Sequence, residues 1–131
     1  MAKAIHMMIR VVDIDRSIAW YDKAFGLKPA KRIEFESFDL VYLRNDENDF
    51  ELELTANKGR TEPYQHGEAY GHFAVCVDDL DAEHKRFQSE GLQPKDIKQL
   101  DHNGEKLARF FFVEDPDGYK CEVLERYGRY Q

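Results

Sequence analysis

Two apolar rhythms alternate along this chain. Residues 5–12 (Ile5-His6-Met7-Met8-Ile9-Arg10-Val11-Val12) are mostly apolar and β-branched, which predicts a strand. Ile14, Ile18, Tyr21 and Phe25 then recur at helical spacing and predict one apolar stripe on a helix. Asp13 or Asp15 is a suitable N-cap, Gly26 a suitable C-cap, and Pro29 stops any continuation. Alternating runs near 30–36, 38–44 and 49–55 predict three further strands. The rhythm then restarts with a strand at 71–77 and a helix at 79–90 whose stripe is weaker. Strands are expected near 95–100, 107–114 and 119–126, with Asp115-Pro116-Asp117-Gly118 as a turn.

The second set of elements repeats the first. With His6 laid over His72, Asp13 falls on Asp79, Ile14 on Leu80, Asp15 on Asp81 and Tyr21 on Phe87. One deletion later, Gly26-Leu27-Lys28-Pro29 falls on Gly91-Leu92-Gln93-Pro94. A duplicated unit of about 60 residues accounts for this. The pattern predicts an α+β fold of two tandem βαβββ modules within a single domain spanning 1–131. Module one covers about 1–56, a polar linker about 57–68, and module two about 69–127.

Composition narrows the function classes. Hydrophobic residues make up 42% and charged residues 34%, a globular balance. The net charge of −7, without any dense Lys/Arg tract, argues against nucleic acid and against anionic membranes as partners. No apolar stretch approaches membrane-spanning length, and the N-terminus lacks a signal-peptide core. Cys76 and Cys121 sit in strand-like apolar runs and are expected as buried free thiols in a reducing cytoplasm. There is no Gly-x-Ser-x-Gly elbow and no Gly-rich phosphate loop.

The chemistry lies in the repeat. Each module offers one His from its first strand and one Glu from its last: His6 and Glu53, then His72 and Glu122. A lone His opening a strand is ordinarily no ligand, and a Glu between two Leu ordinarily faces solvent. Equivalent positions with equivalent chemistry in both halves are another matter. Imidazole and carboxylate suit divalent ions such as Zn²⁺ and Ni²⁺. His66, His84 and His102 have no counterpart and are expected on the surface or in loops.

These residues resemble the vicinal oxygen chelate superfamily and, within it, glyoxalase I (lactoylglutathione lyase). The likeness runs through His6-Met7-Met8-Ile9-Arg10-Val11, Asp15-Arg16-Ser17-Ile18-Ala19-Trp20-Tyr21 and Glu53-Leu54-Thr55-Ala56-Asn57. It continues in Tyr70-Gly71-His72-Phe73-Ala74-Val75 and in Asp115-Pro116-Asp117-Gly118-Tyr119-Lys120-Cys121-Glu122. The resemblance implies a curved mixed sheet built from both modules. It implies His6, Glu53, His72 and Glu122 as ligands of one divalent metal ion per site, with Ni²⁺ or Co²⁺ favoured and Zn²⁺ allowed. It also implies a homodimer with the metal sites at its interface. Arg10 and Asn57 match positions that hold the γ-glutamyl end of glutathione. The implied reaction converts the hemithioacetal of methylglyoxal and glutathione to S-lactoylglutathione through an enediolate. Glu122 is the expected base and Glu53 its partner on the opposite side. The chain departs from the family at Asn57-Lys58-Gly59, where Asn-Trp-Gly is common. The Lys-Gly element for the glycine carboxylate is also missing, leaving Lys98 or Lys106 as candidates.

Other functions on the same scaffold use part of this set. An Fe(II) extradiol dioxygenase needs His6, His72 and Glu122 only, and Glu53 counts against it. An acyl-coenzyme A epimerase needs the same enolate stabilisation. A non-catalytic ligand-binding or resistance protein needs no metal set, and here all four donors are present.

Overall fold

The computed structural model describes residues 1–131. They form two compact units, Met1–Gln65 and His66–Gln131. In the first, β1 (His6–Arg10) leads into α1 (Ile14–Phe25), followed by β2 (Lys28–Glu34), β3 (Phe38–Arg44) and β4 (Glu51–Asn57). In the second, β5 (Phe73–Val77) leads into α2 (Leu80–Ser89), then β6 (Lys98–His102), β7 (Glu105–Glu114) and β8 (Lys120–Glu125). The sheets have the same plan, β1-β4-β3-β2 and β5-β8-β7-β6. In each, the first strand runs parallel to the last and the other pairings are antiparallel. The α+β fold and the repeated βαβββ order are thus present, each module building its own four-stranded mixed sheet.

In the first unit, α1 packs over β2, β3 and β4. The sheet face beneath it carries Ile9, Val41, Leu43, Leu52 and Leu54, all nearly or fully buried. The helix buries Ile14, Ser17, Tyr21 and Ala24. This corrects the expected stripe, because Ile18 and Phe25 are only half-buried. Small Ser17 and Ala24 face the sheet and let the backbone approach it, while the larger pair lies at the edge. Asp13 is the cap, accepting from the Arg16 N–H at 3.0 Å. Gly26 ends the helix at φ 64°, its N–H reaching the carbonyl of Asp22.

In the second unit, α2 buries only Leu80 and Phe87. Phe87 meets Phe111 edge to face at 5.3 Å, supported by fully buried Cys121 and Val123. Asp79 caps α2 as Asp13 caps α1, accepting from the Ala82 N–H at 2.9 Å. Cys76 is half-buried rather than buried, and both thiols are free.

Several strand bounds differ from the pattern. β2 begins at Lys28 and includes Pro29, which is tolerated because β2 is an edge strand with a register shift at that point. β4 begins two residues late because the Asn48 side chain accepts from the Phe50 N–H and holds a turn there. β5 begins at Phe73, leaving His72 just outside it; beyond Phe73, the Lys120 carbonyl accepts from Tyr70 Oη. β6 lies at 98–102 rather than 95–100. It ends in a two-residue hairpin with Asn103 at φ 52° and Gly104 at φ 79°. Asn-Gly is the strongest short-range hairpin signal, and it outweighs hydrophobic alternation in setting this register.

The turn before β8 depends on one buried carboxylate. Asp115 accepts from the N–H groups of Asp117 and Tyr119, each at 2.9 Å. Asp115→Ala strands these amides and should lower unfolding free energy by about 1–3 kcal/mol in urea titration. Asp115→Asn keeps one acceptor oxygen and should lose less.

Candidate metal centre

Pairing of the first and last strands positions the donors. In the first unit, Met8 lies opposite Glu53. His6 is two residues before Met8, so it projects from the same face, away from the helix. His6 Nε2 lies 3.0 Å from Glu53 Oε2. In the second unit, Ala74 lies opposite Glu122, and His72 again stands two residues earlier. His72 Nε2 lies 2.8 Å from Glu122 Oε2. Exposure repeats as well: the imidazoles are 38% and 42% exposed, the carboxylates 11% and 14%.

Glu53 is one of three buried polar residues in the chain, with Ser17 and Asp115. It therefore does not face open solvent as a strand Glu ordinarily would. Burying a carboxylate is costly unless it is engaged. His6 engages one of its oxygens. Tyr42 lies opposite Glu53 on β3 and meets His6 edge to face at 5.7 Å. Burial pushes the Tyr42 phenol up, and the nearby Glu53 charge adds to that. Phe112 occupies the matching place in the second unit, opposite Glu122 and 5.3 Å from the His72 ring. Sequence patterning did not single out either aromatic. The chain from Tyr42 to Glu53 is one residue longer than that from Phe112 to Glu122, so only strand pairing reveals the match.

The donor sets suit a divalent ion. Two ligands at about 2.1 Å from a metal and at right angles to each other are about 3 Å apart. Both His–Glu separations are of this size. Within each unit the metal-binding side chains meet as one His–Glu pair, so each unit supplies a pair rather than a whole set.

The remaining candidates divide. Arg10 lies on the His6 face, opposite Thr55, and Asn57 follows two residues beyond Thr55. Asn57 Nδ2 donates to Tyr64 Oη at 3.1 Å. Lys106 is engaged by Glu125 and lies over the Tyr127 ring at 4.3 Å. Lys98 instead lines a cleft of about 410 Å³ with Phe110, Phe112, Lys95 and Lys120. That cleft adjoins His72 through Phe112.

The three other histidines have structural surroundings. His84 is on α2 rather than in a loop; its Nε2 lies 2.8 Å from the Lys95 carbonyl and its ring packs on Phe111. His66 is in a loop but half-buried, stacked on Tyr119 at 4.1 Å. His102 is exposed at the end of β6. Near them, Tyr70 is pushed up to about 12, chiefly by burial, so it remains a neutral donor to the Lys120 carbonyl.

The family model described as the Glyoxalase/Bleomycin resistance protein/Dioxygenase superfamily matches residues 3–123. The chain is 36% identical to the lactoylglutathione lyase of Haemophilus influenzae over 126 residues, covering 92% of this chain and 90% of the relative. It is also 36% identical to the lactoylglutathione lyase of Neisseria meningitidis serogroup A, over 95% of this chain and 91% of that one. Among solved structures, the trypanothione-dependent glyoxalase I of Leishmania major superposes with a TM-score of 0.76 at 35% identity, covering 95% of this chain and 87% of that one. Matches that run nearly from end to end at more than a third identity are decisive: the chain belongs to the glyoxalase/bleomycin resistance protein/dioxygenase superfamily and, within it, to the family of the lactoylglutathione lyases.

Proposed function

We propose that this protein is a lactoylglutathione lyase, isomerising the hemithioacetal of methylglyoxal and glutathione to S-lactoylglutathione. The observation that carries this reading is the His–Glu pair held at the same strand register in both units. The lactoylglutathione lyases to which the chain is similar support the choice of reaction over the other chemistries of the scaffold.

His6, Glu53, His72 and Glu122 would hold one divalent ion, Ni²⁺ or Co²⁺ in preference to Zn²⁺. When bound, the ion supplies Lewis-acid stabilisation of the negative charge that develops on the two neighbouring substrate oxygens. The protein's own groups move the proton. The Glu122 carboxylate takes the proton from the carbon that bears sulfur and hydroxyl. The C–H electron pair becomes the new carbon–carbon double bond, and the adjacent carbonyl oxygen gains the negative charge. Glu122 then returns the proton to the adjacent carbon, and the hydroxyl proton passes to the neighbouring negative oxygen, leaving a thioester beside a new alcohol. Glu53 serves as its counterpart on the opposite side of the substrate. A carboxylate is effective here because its surroundings limit water, and both glutamates are largely shielded.

Arg10 and Asn57, on adjacent strands and one face, are assigned to the γ-glutamyl end, where a guanidinium fork matches a carboxylate. Of the two lysines available for the glycine carboxylate, Lys98 is the better placed. It lines the cleft beside Phe112, whereas Lys106 is held by Glu125. We assign each metal centre to a homodimer interface, His6 and Glu53 meeting His72 and Glu122 of the partner subunit. Each unit supplies one pair of donors, so a whole set needs two units. The two free thiols suit a reducing cytoplasm, where we place the protein.

S-lactoylglutathione formation by metal-free protein should be absent and should return on adding Ni²⁺ or Co²⁺. Glu122→Gln should keep the fold by circular dichroism and lower kcat by about 10²–10⁴-fold. Full turnover in that variant refutes the base assignment. A heterodimer of one Glu53→Ala chain and one Glu122→Gln chain distinguishes the two ways of pairing units. Centres between subunits leave one of two intact and restore about half of wild-type turnover. Centres within a chain restore none.

A further inference from the structure

The two units hold their histidines by different means. In the first, the strand ladder reaches His6, which pairs with Glu51, and the Glu51 N–H donates to the Ile5 carbonyl at 3.0 Å. Lys120 is the counterpart of Glu51, two residues before the glutamate of its own pair. In the second unit the ladder begins one residue after the histidine: Phe73 pairs with Cys121, and His72 lies outside β5. A side chain supplies the tie there. Tyr70, two residues before His72, donates its hydroxyl to the Lys120 carbonyl at 3.2 Å. The position matching Tyr70 in the first unit is Ala4, which has no donor side chain.

We propose that Tyr70, braced by Tyr119 and His66, positions His72 as a metal ligand, in place of the backbone pairing that positions His6. This rests on the metal-binding reading above. One hydrogen bond orders a segment only if its donor is itself held, because ordering costs conformational entropy. Rings hold Tyr70: it meets Tyr119 edge to face at 5.1 Å and His66 at 5.8 Å. His66 lies flat on Tyr119, 4.1 Å away at an interplanar angle of 10°. Tyr119 is buried, and its N–H and carbonyl are both bonded to Asp115 at 2.9 Å. The turn before β8 thus fixes Tyr119, Tyr119 and His66 fix Tyr70, and Tyr70 ties down the residues that bring His72 to Glu122. His66 acts by the face of its ring, since its buried Nε2 has no hydrogen-bond partner. Tyr70 is a positioning residue that acts through His72.

Tyr70→Phe keeps the rings and removes only the tie. In the metal-free variant, NMR order parameters at the Gly71 and His72 amides should fall from about 0.85 toward about 0.6, while those at His6 and Met7 stay as in the wild type. Titration calorimetry with Ni²⁺ should give affinity weakened about tenfold, the size of one intramolecular hydrogen bond. A merely structural role would lower the melting temperature and leave both readings unchanged. His66→Ala should also weaken Ni²⁺ binding, and His66→Phe should restore it by returning a flat ring to Tyr119. A histidine that bound the metal itself could not be rescued in this way. Unchanged order parameters at His72, or unchanged Ni²⁺ affinity in Tyr70→Phe, overturns the proposal, and a His66→Phe protein as weak as His66→Ala overturns the brace. Wild-type protein that takes up no Ni²⁺ overturns the metal reading and the proposal with it, a failure distinct from that of the variant.

Discussion

Parallel pairing of the first and last strand in each unit is the constraint on which everything else depends. A strand alternates faces every residue, so a slip of one position between β1 and β4 turns Glu53 into the helix-covered core and Leu52 and Leu54 out of it. That slip is prevented by the same leucines, buried together with Ile9, Val41 and Leu43 beneath α1. The apolar face thus sets the geometry of the polar one. Hydrophobic burial determines where the carboxylate lies, and the carboxylate in turn determines which histidine it meets. The second unit uses the same logic with Cys121, Val123, Phe111 and Phe87.

Much of this was legible from the chain alone. The capping aspartates, Gly26 and the strand alternation identify the elements, and the His6-on-His72 offset gives the repeat and both donor pairs. What patterning misjudged has identifiable causes. The helix stripe was assigned to the bulkiest residues, whereas close helix–sheet packing selects Ser17 and Ala24. The β6 register was set by Asn103-Gly104 rather than by alternation. Tyr42 was invisible because it becomes a partner of Glu53 only across a strand pair, and its separation differs between the halves. Chemistry carried by repeated residue types is readable in sequence, whereas chemistry carried by a difference between repeats requires the register.

The chain is acidic as a whole, and one aromatic-floored cleft in the second unit is lined by Lys95, Lys98 and Lys120 together with Asp96 and Glu114. In a chain with net charge −7, lysines that outnumber the carboxylates in this cleft make it less acidic than the chain as a whole. His84 helps to fix the approach to that cleft, since its ring rests on Phe111 and its Nε2 lies beside the Lys95 carbonyl. A histidine with no counterpart in the repeat therefore serves the architecture next to the chemistry.

The mismatch of Tyr42 and Phe112 also bears on how a doubled gene diverges. Two copies of a module start out interchangeable, and selection acts on both alike. Once a single oxygen atom separates them, each half meets constraints of its own. The ancestral symmetry then survives in the scaffold, where packing enforces it, and lapses in side chains that the packing leaves free to vary.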